Sequence, residues 1–93
     1  MKNKELFLSI IRNGFNNINE YSFFVSFTED AFSQNEELET FWIDMEIINA
    51  LALDDWEKDG YPKHWQKWEK KYLPEINKLI NELKELLDSI RED

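Results

Sequence analysis

The chain contains no cysteine and very little glycine or proline. Among its 93 residues there are two Gly, two Pro and no Cys. The absence of cysteine excludes disulfides, thiolate metal ligands and cysteine nucleophiles, and it favours a reducing compartment such as the cytoplasm. The scarcity of Gly and Pro disfavours a turn-rich β-sandwich or barrel.

Long apolar runs are also missing. No segment approaches the roughly 18 apolar residues that a membrane span requires. The N-terminal segment MKNKELFLSIIRNG is basic and then apolar, but Glu5 and Arg12 flank a short apolar stretch and no small-residue cleavage site follows. It predicts a helix rather than a signal peptide. We therefore expect one cytoplasmic domain, residues 1–93, with no membrane partner.

Catalytic motifs are absent as well. His64 is the only histidine, so no histidine pair, Glu-x-x-His repeat or H-E-x-x-H motif exists, and no glycine-rich phosphate loop is present. Carboxylates are plentiful, but the spacing of Glu82, Glu85 and Asp88 is typical of the polar face of a surface helix. These observations predict a non-enzymatic protein without a cofactor or a metal.

The segment DDWEKDG, residues 54–60, resembles the start of an EF-hand calcium loop, which needs oxygen ligands at alternate positions and then a glycine. Counted from Asp55, however, the twelfth position is Gln66, which cannot supply the closing bidentate carboxylate. The segment is better interpreted as a helix that ends at Gly60, with Pro62 starting the next helix.

Hydrophobic periodicity predicts helices over most of the chain. The first runs from Asn3 or Lys4 to Asn13 and stops at Gly14. Its expected apolar face comprises Leu6, Phe7, Ile10 and Ile11. The segment YSFFVSFT, residues 21–28, alternates like a strand except at Phe24. A lone strand would have no partner, so a helix or irregular structure is favoured over residues 15–28.

Two S-x-x-E patterns predict the next helix starts. Ser26 with Glu29 and Ser33 with Glu36 suggest a short helix at 27–33 and a long one at 34–59. One face of the long helix forms an apolar stripe that should pack in the core. The stripe consists of Leu38, Phe41, Trp42, Met45, Ile48, Ala52 and Trp56.

The last predicted helix starts at Pro62 and keeps an apolar stripe almost to Ile90. Pro74 lies inside it, where its ring removes a hydrogen bond and clashes with the carbonyl of Lys70. A kink and a break both remain open, and the uninterrupted stripe favours a kink. The predicted fold class is all-α: a small bundle of three to five helices, with a long acidic central helix and a Pro-kinked C-terminal helix.

Negative charge is concentrated in the middle of the chain. The net charge is −9, and residues 20–59 contain twelve acids against one base. Residues 60–78 contain five bases against two acids. In this basic segment, YPKHWQKWEKKY interleaves aromatics with lysines, as single-strand binders do. Its four aromatics share one helical face, however, which is typical of core, and the acidic chain repels nucleic acid.

The long helix has a second apolar strip opposite its core stripe, formed by Ile43, Ile47, Ala50 and Leu51 and surrounded by carboxylates. Segment YSFFVSF could cover this strip, or the strip could dock a basic protein. On the second interpretation, the candidate partner-binding residues are Glu36, Glu39, Ile43, Asp44, Glu46, Ile47, Asp54 and Asp55.

In size, acidity, helicity, aromatic richness and lack of cysteine, the chain resembles the small acidic immunity proteins that neutralise bacteriocins and contact-dependent inhibition toxins. No family motif accompanies the resemblance, so it assigns no residue a role. It implies an inhibitor of a basic toxin domain, such as a nuclease. Phage anti-defence proteins that mimic nucleic acid look similar, but the lysines of 63–71 favour an immunity protein. A structural module that pairs with itself, or a weak homodimer through the second strip, is the remaining alternative.

Overall fold

The computed structural model describes residues 3–90, which form an elongated all-helical fold of 44 × 21 × 18 Å. Of the predicted domain 1–93, residues 1, 2 and 91–93 lie outside the described part. Four α-helices follow one another: α1 (Lys4–Asn13), α2 (Ile18–Phe32), α3 (Glu36–Lys58) and α4 (Leu73–Ser89). A π-helical turn, Trp68–Tyr72, leads directly into α4. The predicted fold class, a small helical bundle, is confirmed. None of the described helices has the length and apolarity needed to cross a bilayer.

The bounds of α1 agree with the prediction, but its buried face does not. Gly14 ends the helix with φ +74°, and its N–H donates to the carbonyl of Ile11. The buried residues are Phe7, Leu8 and Ile11, whereas Leu6 is 46% exposed. The inclusion of Leu6 and the omission of Leu8 were therefore wrong, because the packing of α1 against α4 selects the buried side.

Of residues 15–28, the first three are irregular and the rest belong to α2, which is a single helix from Ile18 to Phe32. Asn17 caps it, since its Oδ1 accepts a hydrogen bond from the N–H of Glu20 at 3.0 Å. The carboxylate of Glu20 in turn accepts from the backbone N–H of Asn16. The separate helix predicted at 27–33 is wrong, because Ser26 lies inside α2.

The cap of α3 is Asn35, whose Oδ1 accepts from the N–H groups of Glu37 and Leu38. Ser33 instead follows the last residue of α2, so neither S-x-x-E pattern marks a helix start. Asparagine is as good an N-cap as serine. The predicted range 34–59 for the long helix is close to the observed Glu36–Lys58.

Helix α3 is central, with α2 packed on one side and α4 with the π-helical turn on the other. The predicted stripe does face the core: Leu38, Met45 and Ala52 are buried, and the other four residues pack partly buried against them. Two hydrogen bonds tie α2 to α3. The Tyr21 hydroxyl donates to the Met45 carbonyl and the Trp42 indole N–H donates to the Val25 carbonyl, both at 2.7 Å. Burial, with a smaller contribution from the Glu46 charge, raises the pKa of Tyr21.

A polar side chain, Asn49, sits in this core. It is only 4% exposed, and its Oδ1 has no hydrogen-bond partner among residues 3–90. An unsatisfied buried acceptor costs about 1–3 kcal/mol. We expect Asn49→Leu to raise the free energy of unfolding by about 1 kcal/mol and the melting temperature by roughly 4–8 °C. Thermal denaturation measures both, with Asn77→Leu on the exposed face of α4 as the control. A lower melting temperature for Asn49→Leu would contradict the prediction.

Gly60 ends α3 as predicted, but Pro62 does not begin the next helix. The N–H groups of Gly60 and Tyr61 donate to the carbonyls of Glu57 and Trp56, both at 3.0 Å, which is the Schellman arrangement. Residues 61–65 are irregular and helical structure resumes at 66. The Trp56 indole N–H donates a hydrogen bond to the carbonyl of Pro62, and Tyr61 has φ +56°. This left-handed backbone is incompatible with a helix that begins at residues 61–62.

Pro74 neither stops the last helix nor begins a separate one. The N–H of Leu73 donates to the carbonyl of Trp68, five residues back, and this defines the π-helical turn. The wider turn shifts the hydrogen-bond register just before the proline, which has no N–H of its own. Helical structure is continuous from residue 66 to 89, with the π-helical turn at 68–72 and Pro74 as the second residue of α4.

Candidate partner-binding face of α3

Three large aliphatic side chains form an exposed ridge along α3. Ile43, Ile47 and Leu51 are 48%, 54% and 60% exposed. Their spacing of four residues places them in one line along the helix, on the side away from the buried stripe. The interpretation in which segment YSFFVSF covers this strip is therefore wrong. Helix α2 packs on another side of α3, where Tyr21 reaches Met45 and Trp42 reaches Val25.

Carboxylates extend the ridge at both ends. Glu36 and Glu39 lie one to two turns before it and Asp54 lies just after it, so the face spans about 27 Å. Asp44 and Glu46 flank the ridge; Glu46 is partly buried and the other four are exposed. Within residues 3–90, none of the four glutamate and aspartate side chains at 36, 39, 44 and 46 forms an ion pair. Asp54 pairs with Lys58 on the solvent side, at 2.8 Å.

Asp55, the remaining candidate, belongs to a different cluster. It accepts a hydrogen bond from the Tyr72 hydroxyl at 2.8 Å and lies 3.1 Å from Lys67 Nζ and 3.5 Å from Lys71 Nζ. The Tyr72 hydroxyl first, and then Lys67, hold the pKa of this carboxyl below its usual value. The structure thus separates Asp55 from the other candidates and joins it to the turn before α4.

Asp59 shares the same lysine. It accepts from the Trp65 indole N–H at 2.8 Å and pairs with Lys67 at 3.1 Å, and these contacts lower its pKa. The carboxylates of Asp55 and Asp59 in turn raise the pKa of Lys67. The basic segment therefore compensates Asp55 and Asp59 at the C-terminal end of α3, whereas the carboxylates from Glu36 to Glu46 form no ion pair within residues 3–90.

The cluster predicts a pH dependence of stability. Because the folded pKa of Asp55 is lowered from 3.8, its contribution is complete above about pH 4 and disappears as the pH falls through the lowered value. We expect Asp55→Asn to lower the melting temperature at neutral pH and to lower it progressively less below about pH 4. Thermal melts from neutral to acidic pH test this.

The control for that experiment is Asp54→Asn. Its ion pair with Lys58 is exposed, with side chains 61% and 72% accessible, so its removal should matter little at any pH. An Asp55→Asn effect that persists unchanged in acid would show that the carboxylate charge is not the cause.

The calcium-loop segment supplies a further prediction. Asp55 and Asp59 both face Lys67, and residues 3–90 contain no group of three or more His, Asp or Glu side chains placed to hold a metal. Together with Gln66 at the closing position, this leads us to expect no heat and no shift in melting temperature when calcium is titrated into the protein. A micromolar dissociation constant in the calorimeter would contradict it.

A second exposed apolar group, on α1 and α2, was not anticipated. Phe23 and Phe27 are 66% and 40% exposed, and their rings stack with centroids 5.7 Å apart. Leu6 is exposed as well. The helical period of α2 would have revealed this face, since Tyr21, Phe24, Val25 and Thr28 occupy the buried one.

Comparison with known proteins finds no match to this chain among protein-family models, curated proteins or solved structures. The candidate face is accordingly defined by the geometry of this chain alone. Its decisive feature is the juxtaposition of an exposed aliphatic ridge with the carboxylates of residues 36–46, which form no ion pair within residues 3–90.

Proposed function

We propose that the protein is a non-enzymatic inhibitor that binds a basic protein through the exposed face of α3. The observation that carries the proposal is the ridge of Ile43, Ile47 and Leu51 between the acids of residues 36–46 and Asp54. Protein interfaces combine an apolar centre with a polar rim. Carboxylates at the rim select a cationic partner and accelerate its association.

A toxin nuclease is the basic partner that we favour. Nucleases bind phosphates through lysine and arginine side chains, and such a cleft attracts a row of carboxylates in the same way. The field of a chain with net charge −9 would steer a cationic domain towards it. The proposal agrees with the resemblance to immunity proteins in size, acidity and helicity.

Two other functions use the same face. A phage anti-defence protein would present the carboxylates as a mimic of nucleic acid to a restriction or CRISPR component. A self-associating module would pair the ridges of two copies. The second is disfavoured because the ridge is flanked by acids of one sign, which would face each other in a symmetric dimer and repel.

The test uses the basic domain encoded beside this reading frame, if one is present there. That domain and this protein are purified separately, and binding is followed by surface plasmon resonance at several salt concentrations. We expect an association rate that falls steeply with salt, and loss of the domain's nuclease activity at equal concentration. A neighbouring toxin domain that does not bind would contradict an immunity role, and a phage early-gene neighbourhood would favour the anti-defence alternative.

A further inference from the structure

A concave site, separate from the ridge, lies where the C-terminal end of α3 and the residues after it meet the loop before α2. Its volume is about 390 Å³, at the lower end of the roughly 300–1,000 Å³ typical of small-molecule pockets. Four aromatic side chains line it: Trp56, Tyr61, Trp65 and Trp68. None of them contributes to the ridge of Ile43, Ile47 and Leu51.

Hydrogen bonds from their indole N–H groups fix the three tryptophan side chains in place. Each indole N–H donates to an acceptor within the fold: Trp56 to the Pro62 carbonyl, Trp65 to Asp59 and Trp68 to the Phe15 carbonyl. Trp68 is only 3% exposed, so the indole carbon surface open to a ligand comes from the partly buried Trp56 and Trp65, whose N–H groups are already engaged. A pocket that is already rigid loses little conformational entropy when a ligand binds.

Tyr61 is the exposed member of the set. Its spacing with the other aromatics predicts a core position, but it is 56% exposed. Its ring lies edge-on to that of Trp56, with centroids 5.0 Å apart, and its backbone has φ +56°. An aromatic residue is uncommon in this left-handed region. The conformation keeps a large apolar ring at the edge of the pocket.

Besides its Tyr and Trp residues, the lining has seven polar side chains: the four amides Asn16, Asn17, Asn19 and Gln66, and Lys63, His64 and Glu69. Asn16, Asn19 and Gln66 line the pocket, and none of these side chains makes a hydrogen bond within residues 3–90. An amide side chain has both a donor and an acceptor. A hydroxyl group also donates and accepts, so it is the natural partner of such a side chain.

The pocket carries little net charge. Glu69 and Lys63 are both in its lining and balance each other formally. The lining therefore has no excess of either charge that would select an anionic or a cationic ligand. These aromatic pairs leave no open slot in which a flat base could be sandwiched, because the Tyr61 and Trp56 rings are perpendicular, at 89°, and the parallel partner of Trp65 is Tyr72 within the fold.

We propose that this pocket binds an uncharged, hydroxyl-rich ligand of mono- or disaccharide size. The C–H groups on the apolar face of a sugar ring pack against the electron-rich faces of aromatic rings. Its hydroxyls pair with the free amides of Asn16, Asn19 and Gln66. The site is independent of the proposed inhibitor function, since it uses no residue of the ridge.

The experiment titrates maltose, cellobiose and N,N′-diacetylchitobiose separately into the protein. Tryptophan fluorescence and the side-chain amide signals of Asn and Gln in NMR spectra follow binding. At least one of these sugars should shift both saturably, with a dissociation constant of about 1 mM or tighter. Gln66→Ala should weaken that binding roughly tenfold, the loss of about 1.4 kcal/mol.

Asn81→Ala, an exposed amide on α4, is the matched control and should leave the affinity unchanged. Both replaced amides are on the surface, so folding should be preserved and circular dichroism verifies it. The proposal is overturned if none of the three sugars binds saturably, or if binding is insensitive to Gln66→Ala. It is also overturned if tetramethylammonium or adenosine binds in the same assay and the sugars do not.

Discussion

Replacing Ile47 with glutamate should weaken partner binding by roughly 30-fold or more, the loss of at least about 2 kcal/mol expected for a central interface residue. Ile47 lies in the middle of the exposed ridge and is 54% accessible in the free protein. A glutamate there stays hydrated until a partner covers it, and the burial of its charge then opposes binding. For the same reason, the melting temperature of the free protein should change by only a few degrees.

Met45→Glu is the matched control, two residues away on the same helix. Met45 is fully buried, so an unpaired charge at this position should prevent folding or reduce stability severely. Thermal melts of both variants, with binding measured for Ile47→Glu, complete the experiment. A collapse of stability in Ile47→Glu would show that the ridge is part of the core. If the free protein dimerises weakly through the ridge, sedimentation should show that Ile47→Glu removes the dimer.

Reversing three charges, Glu39, Glu46 and Asp54 to lysine, should slow association with the basic partner and flatten its salt dependence. Long-range attraction can raise association rates by roughly 10 to 1,000-fold at low salt, and this variant removes much of it. If one of the three carboxylates is buried against a partner cation in the complex, its reversal should also speed dissociation. Each such pair lost should cost about 2–5 kcal/mol of binding free energy. Rates measured at several salt concentrations separate the two effects.

The control must carry the same change in net charge elsewhere on the surface. Glu5, Glu85 and Asp88 are exposed on α1 and α4, and their reversal to lysine provides it. Reversal of Lys67 or Lys71 is unsuitable, because these side chains pair with Asp55 and their loss perturbs the fold. Equal effects of the two triple variants would mean that only net charge matters. Binding that survives both variants would exclude the acidic face as the docking surface.

Local sequence patterns were enough to predict the helices that form α1, α3 and α4. A glycine that adopts positive φ terminates a helix within its own few residues, and Gly14 and Gly60 do so where predicted. The two-faced character of α3 was equally readable, since the aliphatic ridge and the buried stripe both repeat with the helical period. The aliphatic strip and the carboxylates of residues 36–46 could therefore be read from the sequence, whereas the exposure of the strip was decided by the side of α3 on which α2 packs.

The contacts between distant segments were decided only by the tertiary structure. Periodicity placed Asp55 among the docking residues, but it carries no information on what packs beside that residue. Lys67 and Tyr72, twelve and seventeen positions later, turn Asp55 into part of an internal cluster. The pocket between Asn16 and Gln66 likewise forms because Trp68 reaches the carbonyl of Phe15 across 53 positions. Such contacts depend on how the helices pack, and the rules that predict each helix act over only a few turns of chain.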